Sequence, residues 1–145
     1  MRARLIPLLF VAASALACRS HDRAHEPLAI KEVDPDQLRR DLATEQAIRA
    51  LTERSLAAYE RASVALETTG RDCDAAADAL HRILAEDGQA IARAKALSDV
   101  PELLERARPV LQEQAERTRR LTGRFAAASS RCAANPRVAR LLGYF

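Results

Sequence analysis

The chain has little with which to hold a cofactor. Its only methionine is Met1, and of its three histidines none follows His81. A haem gripped between a methionine and a late histidine therefore cannot be built. Cys-x-x-Cys-His is absent, which excludes covalent c-type haem. No glycine-rich phosphate loop, GxSxG or HExxH occurs. His21 and His25, with Asp22 and Glu26 beside them, could share a metal on a helix. Their surroundings read instead as a polar linker. Carboxylates are numerous, but no spacing gathers a catalytic pair. The expectation is no cofactor, no metal and no enzyme.

Aromatics are equally scarce: three Phe, two Tyr and no Trp. Alanine supplies much of the apolar content, so helices can approach closely while burying little area per residue. A cross-link would supplement such a core. No segment alternates β-branched residues with polar ones, which excludes strands. Charge of one sign is also lacking. Removing Arg2 and Arg4 with a leader lowers the formal charge from +3 to +1. Nucleic-acid binding then has no global electrostatic support. Basic residues are nearly all arginine, with Lys31 and Lys95 the only lysines.

What is present begins at the N-terminus. Met1-Arg2-Ala3-Arg4 is a basic start, and Leu5 to Ala13 is an apolar run broken only by Pro7. The run is far shorter than the roughly 20 residues a membrane span needs, but it fits a cleaved export signal. Ala15-Leu16-Ala17-Cys18 resembles the lipobox of bacterial lipoproteins, departing at Ala15, where leucine is usual. An ordinary signal peptidase would also accept Ala15-x-Ala17. Cysteine arithmetic favours lipidation of Cys18. The chain has three cysteines, and an acylated Cys18 leaves Cys73 and Cys132 to pair in an oxidising compartment. Arg19 follows the cysteine, which by analogy with enteric sorting points to the outer membrane, facing the periplasm.

The expected division is a signal peptide at 1–17, a lipidated cysteine and tether at 18–33, and a helical domain at 34–145. The spacing predicts three long helices. The first starts at Asp34-Pro35-Asp36-Gln37, continues through Leu38, Leu42, Ile48 and Leu51, and stops at Gly70. The second starts near Asp72 with the seam Cys73, Ala77, Leu80, Leu84, Asp87, Ile91 and Ala94. Asp87-Gly88 is its weak point, a distortion or an exposed position. The third opens with Asp99 as cap and Pro101-Glu102 in the first turn. Its seam is Leu104, Ala107, Leu111, Gln114, Thr118, Leu121, Phe125, Ala128 and Cys132, and Pro109 kinks it without ending it. Asn135-Pro136 caps a short last helix that stops at Gly143. The fold class is all-α: an antiparallel three-helix bundle with a short C-terminal fourth helix. Segments 19–33 and 136–145 are candidates to cover its open side.

Cys73 and Cys132 fall on inward faces at meeting ends of a hairpin that turns at Ser98-Asp99. Their arms are unequal. Closing this loop would contribute about 4 kcal/mol on the chain-entropy estimate. Arg117, Arg120 and Arg124, with Arg131, form a stripe on the third helix. It is expected to balance Asp72, Asp74 and Asp78 and the helix dipole. The functional alternative is a contact patch for an envelope protein, lipid or glycan.

Cys73-Asp74 and the stretch Cys132-Ala133-Ala134-Asn135-Pro136-Arg137-Val138 resemble small helical lipoproteins of myxobacteria over roughly residues 70–140. The resemblance implies the bundle and the Cys73–Cys132 pair, and no activity. Two functions remain in view. One is a lipid-anchored, non-enzymatic interaction or structural module of the envelope. The other is a small-ligand-binding bundle with a cavity around Gln114, Thr118 and Asp87.

Overall fold

The computed structural model describes residues 27–145. Cys18, the leader at 1–17 and the His21–His25 pair lie outside the described residues. Among the described residues there are five α-helices and no strand: α1 (Pro35–Asp41), α2 (Glu45–Thr69), α3 (Cys73–Ala96), α4 (Pro101–Ser129) and α5 (Pro136–Leu142). The three long helices form the bundle, and α5 is the short fourth helix at its C-terminal end.

Local chemistry explains most of the boundaries. Asp34 accepts from the Asp36 amide, and Pro35 sits in the first turn of α1. Gly70 ends α2 at φ +60°, a conformation that costs a glycine nothing. Asp72 caps α3 by accepting from the Ala75 amide. Asn135 caps α5 by accepting from Arg137 and Val138. Each matches the sequence reading, and α4 runs through Pro109 without ending. Pro109 and Glu105, whose carbonyl loses its helical partner to the proline, are both exposed.

Three expectations about the helices are corrected. The first helix is two helices, because Thr44 caps a new start by accepting from the Ala47 amide. Asp99 does not cap α4. It lies in a 3-10 turn, Leu97–Asp99, and Val100 precedes the helix without a side-chain cap. Asp87 is neither distorted nor exposed. It is buried within a continuous α3 and takes hydrogen bonds from Arg54 Nε at 2.6 Å and from Arg61. Two guanidiniums on α2 thereby compensate a carboxylate that burial alone would disfavour.

The core has two parts. One surrounds the disulfide, with Leu66, Leu80, Leu84 and Val138. The other lies at the α3–α4 turn, where Leu38 and Leu42 pack on Ile48, Leu97, Leu103 and Val110. Both α3 and α4 pack along α2, yet their own backbones make almost no close contact. A gap between α3 and α4 results, with α2 as its floor.

Residues 27–33 are not a tether. They form an extended strap on α3, with Leu28 and Ile30 against the disulfide-end core and Val33 against the other. Gln89 clamps the strap, accepting from the Lys31 amide at 2.8 Å and donating to the Lys31 carbonyl at 3.3 Å. Gly88 makes room for it, since a Cβ there would lie 2.4 Å from Ile30 Cδ1 and 2.8 Å from its Cγ1. Gly88→Ala alone is expected to destabilise by about 1 kcal/mol and to speed exchange of the Lys31 amide. In an Ile30→Ala background the same change is expected to stabilise by about 1 kcal/mol, the ordinary helix-propensity gain. Denaturant unfolding of the four proteins checks this. Stabilisation in both backgrounds would mean the strap does not cross at Gly88.

Candidate binding groove

The gap between α3 and α4 is a groove of about 260 Å³. Thr52, Ser55, Leu56 and Tyr59 of α2 form its floor, and Leu104, Leu111, Gln114, Thr118, Leu121 and Thr122 of α4 form one wall. Ala94, Lys95, Leu97 and Ser98 complete it at the turn end. Leu56 and Leu121 are buried yet belong to neither half of the core. The groove thus opens where the two halves fail to meet.

This arrangement corrects the seam expected for the third helix. Leu103 is 1% exposed and Leu104 37%. Val110 is buried while Leu111 is half-buried, and Thr118 is exposed. Leu104 and Thr118 line the groove, and Leu111 lies at its border with the core, packed against the half at the turn. Beyond its edge, Leu104 and Leu111 continue into a shallow depression beside Arg108. The cavity expected around Gln114, Thr118 and Asp87 therefore holds the first two and not Asp87, which faces the arginines of α2.

Polar groups in the groove are few. Gln114 is 6% exposed. Its amide nitrogen donates to Glu53 at 3.3 Å, while its buried Oε1 has no hydrogen-bond partner among the described residues. An unmet acceptor of this kind costs about 1–3 kcal/mol. Lys95 is the charged residue of the lining, and its ammonium reaches the Tyr144 carbonyl at 3.5 Å. The Tyr59 hydroxyl donates to the Phe145 backbone oxygen. Burial pushes the Tyr59 phenol above its usual range. Tyr59, Phe125 and Phe145 pack together, with ring centroids 5.0 to 5.4 Å apart. These contacts bring Tyr144 and Phe145 to the rim of the groove. Phe125 stood out on the expected seam; its two ring partners did not, because they come from distant segments.

The arginine stripe is held differently from expectation. Arg124 grips Glu67 of α2 with two hydrogen bonds, 2.7 and 2.5 Å. Arg117 reaches Glu60 at 3.5 Å, and Arg120 pairs with Glu116 of its own helix at 3.3 Å. Asp74 and Asp78 are taken by Arg137 of α5, and Asp72 caps α3. The hydrogen bonds from Arg124 hold the Glu67 carboxyl below its ordinary range. The pair's contribution is therefore present above that range and fades as pH falls through the lowered value.

Cys73 and Cys132 are joined, with Cα atoms 5.4 Å apart. Cys132 lies in a 3-10 turn, Ser130–Cys132, beyond the end of α4. Among the described residues no three His, Cys, Asp or Glu gather into a metal-holding group, and no helix is long and apolar enough to cross a membrane. No protein family, curated protein or solved structure matches this chain.

Proposed function

We propose that this is a lipid-anchored, non-enzymatic protein of the bacterial envelope, held at the outer membrane through Cys18 and facing the periplasm. In this reading it acts as an interaction module whose working surface is the α3–α4 groove. The observation that carries it is the contrast between the two candidate surfaces. The arginine stripe is largely engaged with glutamates, whereas the groove exposes leucines and borders a buried acceptor without a partner. Non-enzymatic action is supported by the employment of carboxylates as ion-pair partners of arginine, Asp87 included. A second reading, a periplasmic small-ligand binder, is favoured by shape. The groove is concave, mostly apolar and close to the size of small-molecule sites, which start at about 300 Å³.

Photo-crosslinkers at Leu111 and Arg120, activated in the intact envelope, test the assignment. Adducts are expected from Leu111, and they should survive replacement of Arg117, Arg120 and Arg124 by glutamine. Exposed pairs of this type contribute little, so that triple variant should also fold normally. Adducts from Arg120 alone, lost in the triple variant, would move the working surface to the stripe. Cys18→Ser should shift the protein from the membrane fraction to the soluble periplasm.

A further inference from the structure

We infer that the groove takes a single-chain alkyl carboxylate, its chain against Leu56, Leu111 and Leu121 and its head at Lys95. This deepens the small-ligand reading above and rests on it.

Two independent features select that chemistry. The first is the lining. Leucines from α2 and α4 face a concave space that water must otherwise fill, so an apolar chain displaces water at a gain. A volume of about 260 Å³ suits one short chain, not the paired chains of a diacyl lipid.

The second feature is charge. Lys95 is the charged member of the lining and makes no ion pair among the described residues; its contact is the Tyr144 carbonyl, at 3.5 Å. Ser98 does not compete for a ligand, because its hydroxyl donates to the Lys95 carbonyl at 2.9 Å. Arg108, beside the adjoining depression, is neutralised by Glu105 at 2.5 Å. Glu53 lies outside the lining and accepts from Gln114. Lys95 is exposed at the edge of the groove, and a neutral chain that reached it would remove water from the ammonium without adding a counter-charge, which is unfavourable. A cationic head would be repelled. A carboxylate would keep the ammonium paired through a charge-assisted hydrogen bond.

The test uses the full chain carrying Cys18→Ser, isolated from periplasm without detergent. Octanoate, octanol and octylammonium are titrated while backbone amides are followed by NMR. Octanoate is expected to shift amides around Lys95, Leu111 and Thr118 and to bind about tenfold tighter than octanol, the scale of one charge-assisted bond. Octylammonium should shift nothing. Lys95→Met should bring octanoate down to the octanol level with the melting temperature unchanged. Equal binding of octanol and octanoate, or octanoate binding that survives Lys95→Met, would overturn the assignment of the head and leave the groove as a binding site. Tighter binding of dihexanoylphosphatidylglycerol than of octanoate would overturn the single chain. If no amphiphile shifts the groove while Leu111 still crosslinks in the envelope, the ligand is not an alkyl carboxylate and the groove serves a protein. Loss of both signals would remove the groove reading as well.

Discussion

Replacing Cys73 and Cys132 together by alanine is expected to lower the unfolding free energy by about 3–4 kcal/mol. The two cysteines are 59 residues apart in sequence. Their bond removes from the unfolded chain the freedom to separate the start of α3 from the end of α4. Folded domains of this size are stable by only about 5–15 kcal/mol, so the loss is a large share. The alanine-rich interior leaves little in reserve. The region beyond Cys132 should loosen first, because α5 is a helix of seven residues. It is held by Val138, Leu141 and the Arg137 pairs with Asp74 and Asp78. Urea unfolding of the double variant, on a Cys18→Ser background, measures the effect. Amide exchange should show α5 opening below the global transition. A loss under about 1 kcal/mol would mean that the unfolded chain already keeps these ends together.

Leu103→Ala is expected to cost about 3 kcal/mol, in the range for a fully buried leucine. Leu104→Ala should cost well under 1 kcal/mol, because much of that side chain already meets water. The residues are adjacent and chemically identical, so the contrast isolates the facing of α4. Leu103 packs in the core half that holds Leu38, Leu42 and Val100, and its removal leaves a hole that α1 must fill or abandon. Leu104 lines the groove, and its removal widens it. The two variants should therefore separate stability from binding. Equal costs would return Leu104 to the interior and close the groove.

That pair also shows what sequence could and could not decide. The series Leu104-Ala107-Leu111-Gln114 and Leu103-Ala107-Val110-Gln114 both follow three-four spacing and share two members. Adjacent apolar pairs at 103–104 and 110–111 leave the phase of the helix open by one residue. What decides it is tertiary packing, along α2 and in the core half that also holds Leu38 of α1, and α1 was itself obscured. Thr44 lies within a run that remains helical in spacing from Leu38 to Leu51, so the break before α2 carries no periodic signal. The ends that depend on one residue were legible: Asp34, Gly70, Asp72 and Asn135 act through their own side chains or backbone. The cysteine pair was legible because parity and hairpin topology agree. The partners of the arginine stripe were not. The hairpin alone predicts Asp72, Asp74 and Asp78 near the stripe of Arg117, Arg120, Arg124 and Arg131, whereas α4 lies beside α2, and Arg117 and Arg124 meet Glu60 and Glu67. The groove follows from the separation of α3 and α4, a tertiary outcome that no local pattern encodes.

The docking of the strap sets a leash length. With residues 27–33 pinned to α3, only the stretch from Cys18 to Pro27 remains to separate an acylated Cys18 from the folded body. Fully drawn out, it reaches roughly 30 Å, about the thickness of a bilayer's hydrocarbon core. Had the chain been free to Val33, the reach would have been roughly 50 Å. Under the proposed anchoring, a domain on so short a connection would stay near its own leaflet, too close to serve as a long spacer across a wide compartment. The described chain begins at a defined place, since Leu28 packs beside the disulfide-end core. The groove runs from Lys95 and Leu104 near the α3–α4 turn to Tyr59 and Thr122.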